Sequence, residues 1–374
     1  MESRTQHIAT ERCTEAQHLV NGGGTVLPPP VSHGMNCVGI HWLRISLPKK
    51  NLSKAFGLCS TLWGESDHDG RGLWSYDSRF CWSNGVSLNF DADKERSFSV
   101  HNNCATLDVP GSACDELTSC DLTLIIDVFK DLGGKCTRID TYYDDYDRRI
   151  TPHEVYDIVK KRDYSGFRTY SRIERGNLDC LTHDEIAFGR RGSFGNGKYL
   201  RFYDKGLESN GKQDCCRWEV EWTGEKADRV FQTLSATRGD LEVFGTIIGS
   251  LVAGCITFVR RTGDKNISRL ETYSWWQEIL DILGGKLVIR TSRKKDSLTG
   301  KIEWIKRSVA PSMACLKKVF VDKDAFYRWL WDVCSDGDGR MNAATRQIAK
   351  ENEASMDYRW GEQQLKGVFE HVMS

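Results

Sequence analysis

The residues best suited to chemistry lie in an alternating segment, G-K-Y-L-R-F-Y-D-K, at residues 197–205. Successive side chains of a β-strand point to opposite faces, so Leu200 and Phe202 would share one face of this segment. The other face would carry Tyr199, Arg201, Tyr203 and Lys205. Arginine and lysine beside a phenol could hold a phosphate while the phenol attacks it.

Two further segments repeat this arrangement of one polar and one apolar face. In R-I-D-T-Y-Y-D-D the polar face would carry Arg138, Asp140, Tyr142 and Asp144. In R-W-E-V-E-W it would carry Arg217, Glu219 and Glu221, opposite Trp218, Val220 and Trp222. If the three strands are neighbours in one sheet, the apolar sides cover the core and the polar side chains gather on the other surface.

Carboxylates on a rigid sheet are hard oxygen ligands that suit Mg²⁺ or Mn²⁺. Such an ion, with the nearby cations, would stabilise the charge that develops when a tyrosine attacks a phosphodiester. The alternative is an ordinary solvated sheet face that bears cross-strand salt bridges and has no chemical role.

Three other motifs that would bind a nucleotide or a metal ion are incomplete or absent in this sequence. Residues 192–198 fit G-x-x-x-x-G-K, but Tyr199 stands where a phosphate-binding loop needs Ser or Thr, and a strand follows where it needs a helix. The segment Asp336–Asn342 lacks the closing glutamate of a calcium loop, so we expect a polar turn there. No two histidines are spaced His-x-His, so the histidine-pair metal site of many nicking enzymes is absent.

Composition narrows the class of protein. The 374 residues include 52 Lys+Arg and 52 Asp+Glu, which argues against a protein that coats nucleic acid through bulk charge. Residues 1–17 do not have the pattern of a secretory signal, and the uncharged stretch 244–259 is too short to span a membrane, so we expect a buried helix there. The 14 cysteines form no C-x-x-C pair, which favours reduced thiols in a cytoplasm.

The elements that would position the polar residues can be read from turn and capping signals. A first strand is predicted at 39–45, and Ser83-Asn84-Gly85 predicts a hairpin between two short strands. Helices are predicted at about 118–132 and from a capping box at Thr151 to about 162, with further strands at 136–144, 167–174, 184–190, 198–204 and 215–222. After Gly224 the signal is mainly helical. The predicted fold class is α+β, with a mainly antiparallel sheet and packed helices.

The middle of the chain resembles the replication initiation factor family, the rolling-circle initiators of small plasmids and filamentous phages with related relaxases of integrative elements. The resemblance rests on T-R-I-D-T-Y-Y-D-D, G-R-R-G-S-F-G-N-G-K-Y-L-R-F-Y-D-K-G and C-R-W-E-V-E-W. A-T-L-D-V-P-G-S-A-C and K-I-E-W-I-K-R-S-V-A-P-S also look similar, so that roughly residues 38–320 are covered. The loop Gly189–Gly197 is longer than in many relatives, which leaves its part in DNA contact open.

The resemblance implies a role for individual residues. Tyr203 takes the position of the family's nucleophile, with Arg201 and Lys205 gripping the scissile phosphate. Divalent metal, Mg²⁺ or Mn²⁺, would be held by Asp140 and Glu219, with Glu221 and Asp144 as further candidate ligands. Residues expected to contact DNA are Arg138, Arg217, Lys198, Arg190, Arg191, Arg293, Lys294 and Lys295.

The implied function is to nick and rejoin one DNA strand at an origin, starting rolling-circle replication of a phage or plasmid. Two alternatives stay open, a non-catalytic origin-binding or regulatory protein and a conjugative relaxase with the same chemistry. The expected partners are single-stranded or extruded origin DNA, a host helicase and a polymerase, and the protein could act as a homodimer in the cytoplasm of a bacterial host. The expected organisation is a flexible leader at 1–36, a catalytic nicking domain at 37–240 and a mostly helical region at 241–374, whose basic stretch at 286–307 contacts DNA.

Overall fold

The computed structural model describes residues 37–92, 103–192, 197–264, 266–289 and 297–353. The chain divides into two compact units between residues 291 and 292. The strands are β1 Cys37–Pro48, β2 Asp67–Asp69, β3 Ser78–Cys81, β4 Ser87–Phe90, β5 Cys104–Val109, β6 Lys135–Asp145, β7 Tyr164–Ser165, β8 Tyr170–Gly176, β9 Leu181–Gly189, β10 Lys198–Asp204, β11 Cys216–Thr223 and β12 Thr257–Phe258. The α-helices are α1 Leu52–Trp63, α2 Gly111–Cys114, α3 Ser119–Asp131, α4 Pro152–Lys160, α5 Lys205–Glu208, α6 Glu225–Ser235, α7 Leu241–Ala253, α8 Ser274–Ile282, α9 Leu298–Trp304, α10 Ala310–Val319, α11 Lys323–Arg340 and α12 Ala343–Glu353.

Ten strands of the first unit form one sheet in the order β2-β3-β4-β5-β1-β6-β11-β10-β9-β8, and neighbouring strands pair antiparallel. Strands β7 and β12 form a separate antiparallel pair. Helices such as α6 and α7 pack against β6 and β11. The predicted α+β class with a mainly antiparallel sheet is therefore confirmed.

The three strands with a polar face are neighbours in this sheet, because β11 lies between β6 and β10. Arg201 is paired with Glu219, and Glu219 is in turn paired with Tyr142 of β6. Directly paired residues of antiparallel strands point to the same face, so these side chains meet on one surface. The same registers pair Tyr203 with Arg217, Arg217 with Asp144 and Glu221 with Asp140.

The opposite face of the sheet forms the hydrophobic core. Phe202 stacks on Trp218 with ring centroids 3.8 Å apart, and Trp276 of α8 lies 5.4 Å from Trp218. All three side chains are fully buried. Burying a side chain such as Phe202 contributes about 1.5–3 kcal/mol, which anchors β10 and holds the alternation of its polar residues in place.

Capping residues begin the helices where the sequence indicates. The Thr118 and Asp121 side chains form a capping box at the start of α3, and the Thr151 and Glu154 side chains do so for α4. Each box satisfies backbone N–H groups that have no partner within the first turn of the helix. Gly133, with φ +76°, follows α3 in the left-handed conformation that commonly ends a helix.

The uncharged stretch 244–259 differs from the expected buried helix. Helix α7 begins earlier, at Leu241, and ends at Ala253, and residues 257–258 form β12. An added Cβ at Gly254 would lie 2.1 Å from the Leu287 carbonyl oxygen, so the chain makes a close approach where the helix ends. Among the described residues, no helix has the length and apolar character needed to cross a membrane.

The boundary between the units lies beyond the one expected at residue 240. Helix α7 packs against β1 and β6, and α8 packs against α7, so both belong with the sheet. The second unit contains α9 to α12. The polar turn expected at Asp336–Asn342 is wrong, because α11 continues to Arg340. Gly337 and Gly339 cost the helix only about 1 kcal/mol each relative to alanine, so a helix that is already formed can extend through them.

Candidate active site

Tyr203 lies at the centre of the polar face, on β10. Its hydroxyl donates a hydrogen bond of 2.9 Å to Glu219 Oε2 on β11. The Arg201 guanidinium lies over the Tyr203 ring, 4.6 Å from its centroid. The Tyr203 side chain is 0% exposed, so substrate can reach it only if covering groups move.

Glu219 receives contacts on both carboxylate oxygens. Arg201 donates to Oε1 at 3.1 Å, while His41 Nδ1 lies 3.3 Å from Oε2. Burial alone would raise the pKa of Glu219, but His41 and the Arg201 charge hold it well below its usual range. Glu219 is therefore ionised at neutral pH although it is almost completely buried.

Burial raises the pKa of Tyr203 well above its usual value, and the negative charge of Glu219 adds to this effect. The phenol is therefore protonated in the resting protein, and its proton is directed at Glu219 Oε2. An attack by this oxygen requires the proton to leave as the new bond forms, and Glu219 is the group in contact with it.

His41 links this pair to the edge of the site. Its Nε2 lies 3.7 Å from Asp115, whose side chain is partly exposed. Burial alone would lower the pKa of His41, but its contacts with Asp115 and Glu219 raise it to about 9. An added Cβ at Gly111 would lie 2.6 Å from the His41 ring, so α2 packs tightly on this histidine.

Arg201 bridges two carboxylates. Besides Glu219, it donates from Nε and Nη2 to Glu185 Oε2 of β9, at 3.1 Å and 2.9 Å. The same Glu185 oxygen lies 3.2 Å from His183 Nε2. These contacts fix the guanidinium beside the Tyr203 ring, where it could neutralise a phosphate that approaches the phenol.

The carboxylate of Asp140 is paired with Arg138 on the same strand. Arg138 donates to both Asp140 oxygens, at 3.0 Å and 2.6 Å, and lies 3.3 Å from Glu221. Burial raises the pKa of Asp140 to about 6 despite this partner, and the charges of Glu219 and Glu221 contribute to the rise. Asp140 therefore titrates closer to neutrality than an ordinary aspartate.

Asp144 and Arg217 form a buried two-pronged ion pair, with bonds of 2.6 Å and 2.8 Å. The Arg217 guanidinium also stacks on the Tyr142 ring, 3.9 Å from its centroid. Within the described part of the chain, Arg217 Nη1 is buried and has no hydrogen-bond partner. It is a donor that a phosphate could use once the site opens.

The predicted metal ligands do not fit a divalent ion in this arrangement. Arginines engage all four of them: Arg138 contacts Asp140 and Glu221, and the carboxylates of Asp144 and Glu219 accept from Arg217 and Arg201. The described residues contain no group of three or more His, Cys, Asp and Glu side chains that could hold a metal.

Comparison with known proteins identifies the family of this chain. The model of the replication initiation factor family matches residues 134–330, which is more than half of the 374-residue chain. The chain belongs to the replication initiation factor family. A solved structure, that of a rolling circle replication initiator protein from Geobacillus stearothermophilus, is 17% identical with a TM-score of 0.54. It covers 69% of this chain and 100% of its own, and it shows that the two proteins share a fold. No curated protein sequence matches the chain.

The family match contains the Tyr203–Glu219 pair and its arginine, whereas His41 lies outside it. Sequence reasoning missed His41 because the register shifts between Ile40 and Trp42, a bulge that breaks the simple alternation of β1. Glu185 was also missed, yet it could have been found. In T-H-D-E-I-A-F, Glu185 alternates with the buried Ile186 in the same way as the other polar residues of the face.

Two of the lysines predicted to contact phosphate or DNA bond to other groups of the protein in this structure. Lys205 is not on the strand, because β10 ends at Asp204, whose side chain caps α5. Lys205 instead donates to Glu208 at 2.5 Å, with its Nζ 5.9 Å from the Tyr203 ring centroid. Lys198 has the parity of the core residues, and its Nζ donates to the Cys255 carbonyl at 3.0 Å.

The remaining residues predicted to contact DNA fall into two groups. Arg190 and Arg191 are exposed, and Arg191 Nε lies 3.1 Å from Glu221 while its guanidinium covers the Tyr199 ring at 4.5 Å. Arg293, Lys294 and Lys295 lie outside the described residues, as does most of the loop after Gly192.

Proposed function

We propose that this replication initiation factor starts rolling-circle replication by nicking and rejoining one strand of origin DNA, with Tyr203 as the nucleophile. The observation that carries the proposal is the hydrogen bond from Tyr203 to the ionised Glu219, beside the Arg201 guanidinium. These groups supply a nucleophile, a proton acceptor and a cation for the phosphate on adjacent strands of a family domain.

The proposed reaction exchanges one phosphoester bond for another. The Tyr203 oxygen attacks the phosphorus, and the bond from phosphorus to the 3′ oxygen breaks. The phenol proton passes to Glu219 and from there to the leaving 3′ oxygen, which departs as a hydroxyl that can prime a polymerase. The 5′-phosphate stays on Tyr203 until the reverse attack by a 3′ hydroxyl rejoins the strand.

Arg201 and Arg217 are suited to the negative charge that develops during this exchange. Arg201 lies against the ring of the nucleophile, and Arg217 retains a free Nη1 in the described structure. Preorganised donors in a site that excludes water stabilise such charge more strongly than they would in solution. The requirement for Mg²⁺ or Mn²⁺ stays a prediction.

The burial of Tyr203 favours a second candidate, an origin-binding protein without cleavage. Its phenol is 0% exposed, and the carboxylates beside it are all paired with arginines. A phosphodiester could reach the phenol only after covering groups move, such as the Arg201 guanidinium that lies over its ring. In the non-catalytic case the polar face would be a buried salt-bridge network that stabilises the sheet.

A nicking assay on supercoiled DNA of the host element separates the two candidates. The assay is run with the full chain, with Mg²⁺, with Mn²⁺ and with chelator, and products are treated with protease to reveal protein-linked 5′ ends. Open circular DNA with a blocked 5′ end supports cleavage, whereas binding without any nicked product supports the non-catalytic candidate. A conjugative relaxase would give the same nicked product, so a conjugal-transfer assay distinguishes a relaxase from a replication initiator. Contacts with a helicase, with a polymerase and within a homodimer stay predictions. Action in the bacterial cytoplasm also stays a prediction.

A further inference from the structure

The second unit contains a small pocket between helices α10 and α11, and none of its lining residues belongs to the polar face of the sheet. Its volume is about 190 Å³, and its lining includes Lys317, Phe320, Lys323, Phe326 and Tyr327. An apolar cavity of about 150 Å³ accommodates benzene, so a pocket of this size can take one planar ring. The pocket combines aromatic walls with two lysines at its edge.

The aromatic side of the pocket is held in a fixed arrangement. The rings of Phe320 and Phe326 meet edge to face with centroids 5.7 Å apart, and Trp329 packs on both at 5.5 Å and 5.9 Å. Phe326 is buried, so it anchors the cluster. The walls of the pocket therefore have a rigid support within the unit.

Two larger aromatic side chains extend this surface outward along α11. Tyr327 lines the pocket and is 47% exposed, and Trp331, one turn further on, is 75% exposed. Residues four apart lie on the same side of a helix, so the two rings form a row that begins at the pocket. Exposed aromatic rings in a row are the stacking platforms on which single-stranded nucleic acids bind.

The charge at the pocket edge suits a phosphate backbone. Lys317 lies in the last turn of α10 and Lys323 begins α11, and neither makes an ion pair in the part of the chain that the structure describes. Asp322 lies between them, but its carboxylate accepts from the Ala325 N–H at 2.6 Å as the cap of α11. The two ammonium groups are thus available to an anionic ligand.

We propose that the α10–α11 pocket binds single-stranded DNA, with one base in the pocket against Tyr327, a neighbouring base on Trp331 and phosphates at Lys317 and Lys323. Stacking and phosphate contact require no particular base, so binding is largely independent of sequence. The identity of the ligand as DNA rests on the proposed function, but the site uses none of its catalytic residues. It would hold the strand that an initiator displaces or exposes.

The test is binding of the full chain to a fluorescein-labelled oligothymidylate of about twelve nucleotides, a length within the usual site size of single-strand binders, followed by anisotropy. Trp331→Ala and Tyr327→Ala are each expected to weaken binding by about 5- to 150-fold, the range for the removal of one stacked base. Val333→Ala is the matched control, because it removes an exposed side chain of α11 that lies about 120° around the helix from Tyr327. Its affinity should equal that of the wild type.

The lysines are tested through salt dependence. The double variant Lys317→Ala, Lys323→Ala is expected to reduce the slope of log affinity against log salt by about 1.4, or about 0.7 for each phosphate of the single strand that is no longer neutralised. An unchanged slope together with unchanged affinity in Trp331→Ala would overturn the proposal. So would a change in oligomeric state by sedimentation in Trp331→Ala with no change in DNA binding, since the row would then be a contact between copies of the chain.

The binding test is independent of cleavage. It is repeated in a Tyr203→Phe background, where oligonucleotide affinity should be retained. A wild-type protein that fails to nick, and whose oligonucleotide binding is weakened to the expected extent in Trp331→Ala, would reject the proposed function and support this site. If the wild type nicks DNA, and Trp331→Ala and Val333→Ala bind the oligonucleotide with equal affinity, the proposed function is supported and this site is rejected.

Discussion

The Tyr203 hydroxyl donates its hydrogen bond to Glu219 Oε2, the oxygen that also lies 3.3 Å from His41 Nδ1. A protonated phenol and a protonated imidazole thus face the same carboxylate oxygen in a buried site. The negative charge of Glu219 is stabilised by its neighbours, which keeps the carboxylate ionised but lowers its basicity, so the phenol proton must transfer as the new bond forms. Tyr203 and Glu219 lie within the residues that match the family model, whereas His41 lies on β1, outside them.

Replacing Tyr203 by phenylalanine tests the nucleophile. The ring stays in place, so the unfolding free energy of the variant should fall by about 1.5–3 kcal/mol, the range for a lost hydrogen bond to a charged group, while nicking and the covalent adduct disappear. Tyr199→Phe is the matched control, because Tyr199 has the same strand parity but lies against Arg191. Mass spectrometry of the trapped adduct locates the attached nucleotide. An adduct on Tyr199 or Tyr142, or nicking that survives in Tyr203→Phe, shows that another phenol reacts.

Glu219→Gln tests the proton acceptor. The amide keeps the size of the side chain but accepts the phenol proton poorly, so single-turnover nicking should slow by about 10²- to 10⁴-fold. Duplex origin binding should change little, because Glu219 is buried beneath the surface. Glu225→Gln, in the first turn of α6, serves as the control. A variant that nicks at the wild-type rate rules out Glu219 as the acceptor.

Much of the fold and of the polar face could be predicted because alternation along a strand is a local property. Leu200 and Phe202 are fully buried opposite Arg201 and Tyr203, as the parity of the segment predicts. Capping boxes and the Ser83-Asn84-Gly85 turn are equally local, since neighbouring residues satisfy the same backbone groups. The order of strands in the sheet brought these local patterns together.

What could not be predicted depends on contacts between distant segments. The bulge in β1 that directs His41 to Glu219 has no signal in the residues around it. The pairing of each carboxylate with an arginine, Asp140 with Arg138 for example, depends on rotamers that alternation does not specify. The same limit explains Lys205, which follows the Asp204 cap as the first residue of a short helix and donates to Glu208.

The buried ion pair of Asp144 and Arg217 should contribute strongly to stability. Asp144→Ala leaves the Arg217 guanidinium buried without its counter-charge, which is expected to cost about 3–5 kcal/mol of unfolding free energy. Asp157→Ala removes a comparable but exposed pair with Lys160 and should be much less destabilising, because water and salt screen exposed charges. Urea denaturation at pH 7 measures both. Equal destabilisation in the two variants would contradict the importance of the buried pair.

His41 should make stability depend on pH in the alkaline range. Its pKa rises from 6.5 in the unfolded chain to about 9 in the folded protein, so its stabilisation is complete below pH 6.5. As the pH rises through 9 the folded protein also releases the proton, and at most about 3 kcal/mol of stabilisation disappears over this window. The measurement is the difference in unfolding free energy between wild type and His41→Gln at about pH 6 and about pH 9.5, on either side of this window. A difference that stays constant, or grows with pH, contradicts the assignment.

The arginine-paired carboxylates predict weak metal binding in the absence of DNA. A ligand present at about one hundred times its dissociation constant adds about 2.7 kcal/mol of stability, which would raise the melting temperature by several degrees. Because arginines hold the carboxylate oxygens, we expect the melting temperature of the free wild-type protein to be unchanged by millimolar Mn²⁺. Arg138→Gln releases Asp140 while Glu221 keeps its contact with Arg191, so that variant should gain a Mn²⁺-dependent rise. Mg²⁺ and Mn²⁺ are compared with Ca²⁺ and with chelator in the same scan. A rise of several degrees in the wild type at millimolar Mn²⁺ would show that the carboxylates bind an ion in spite of their arginine partners.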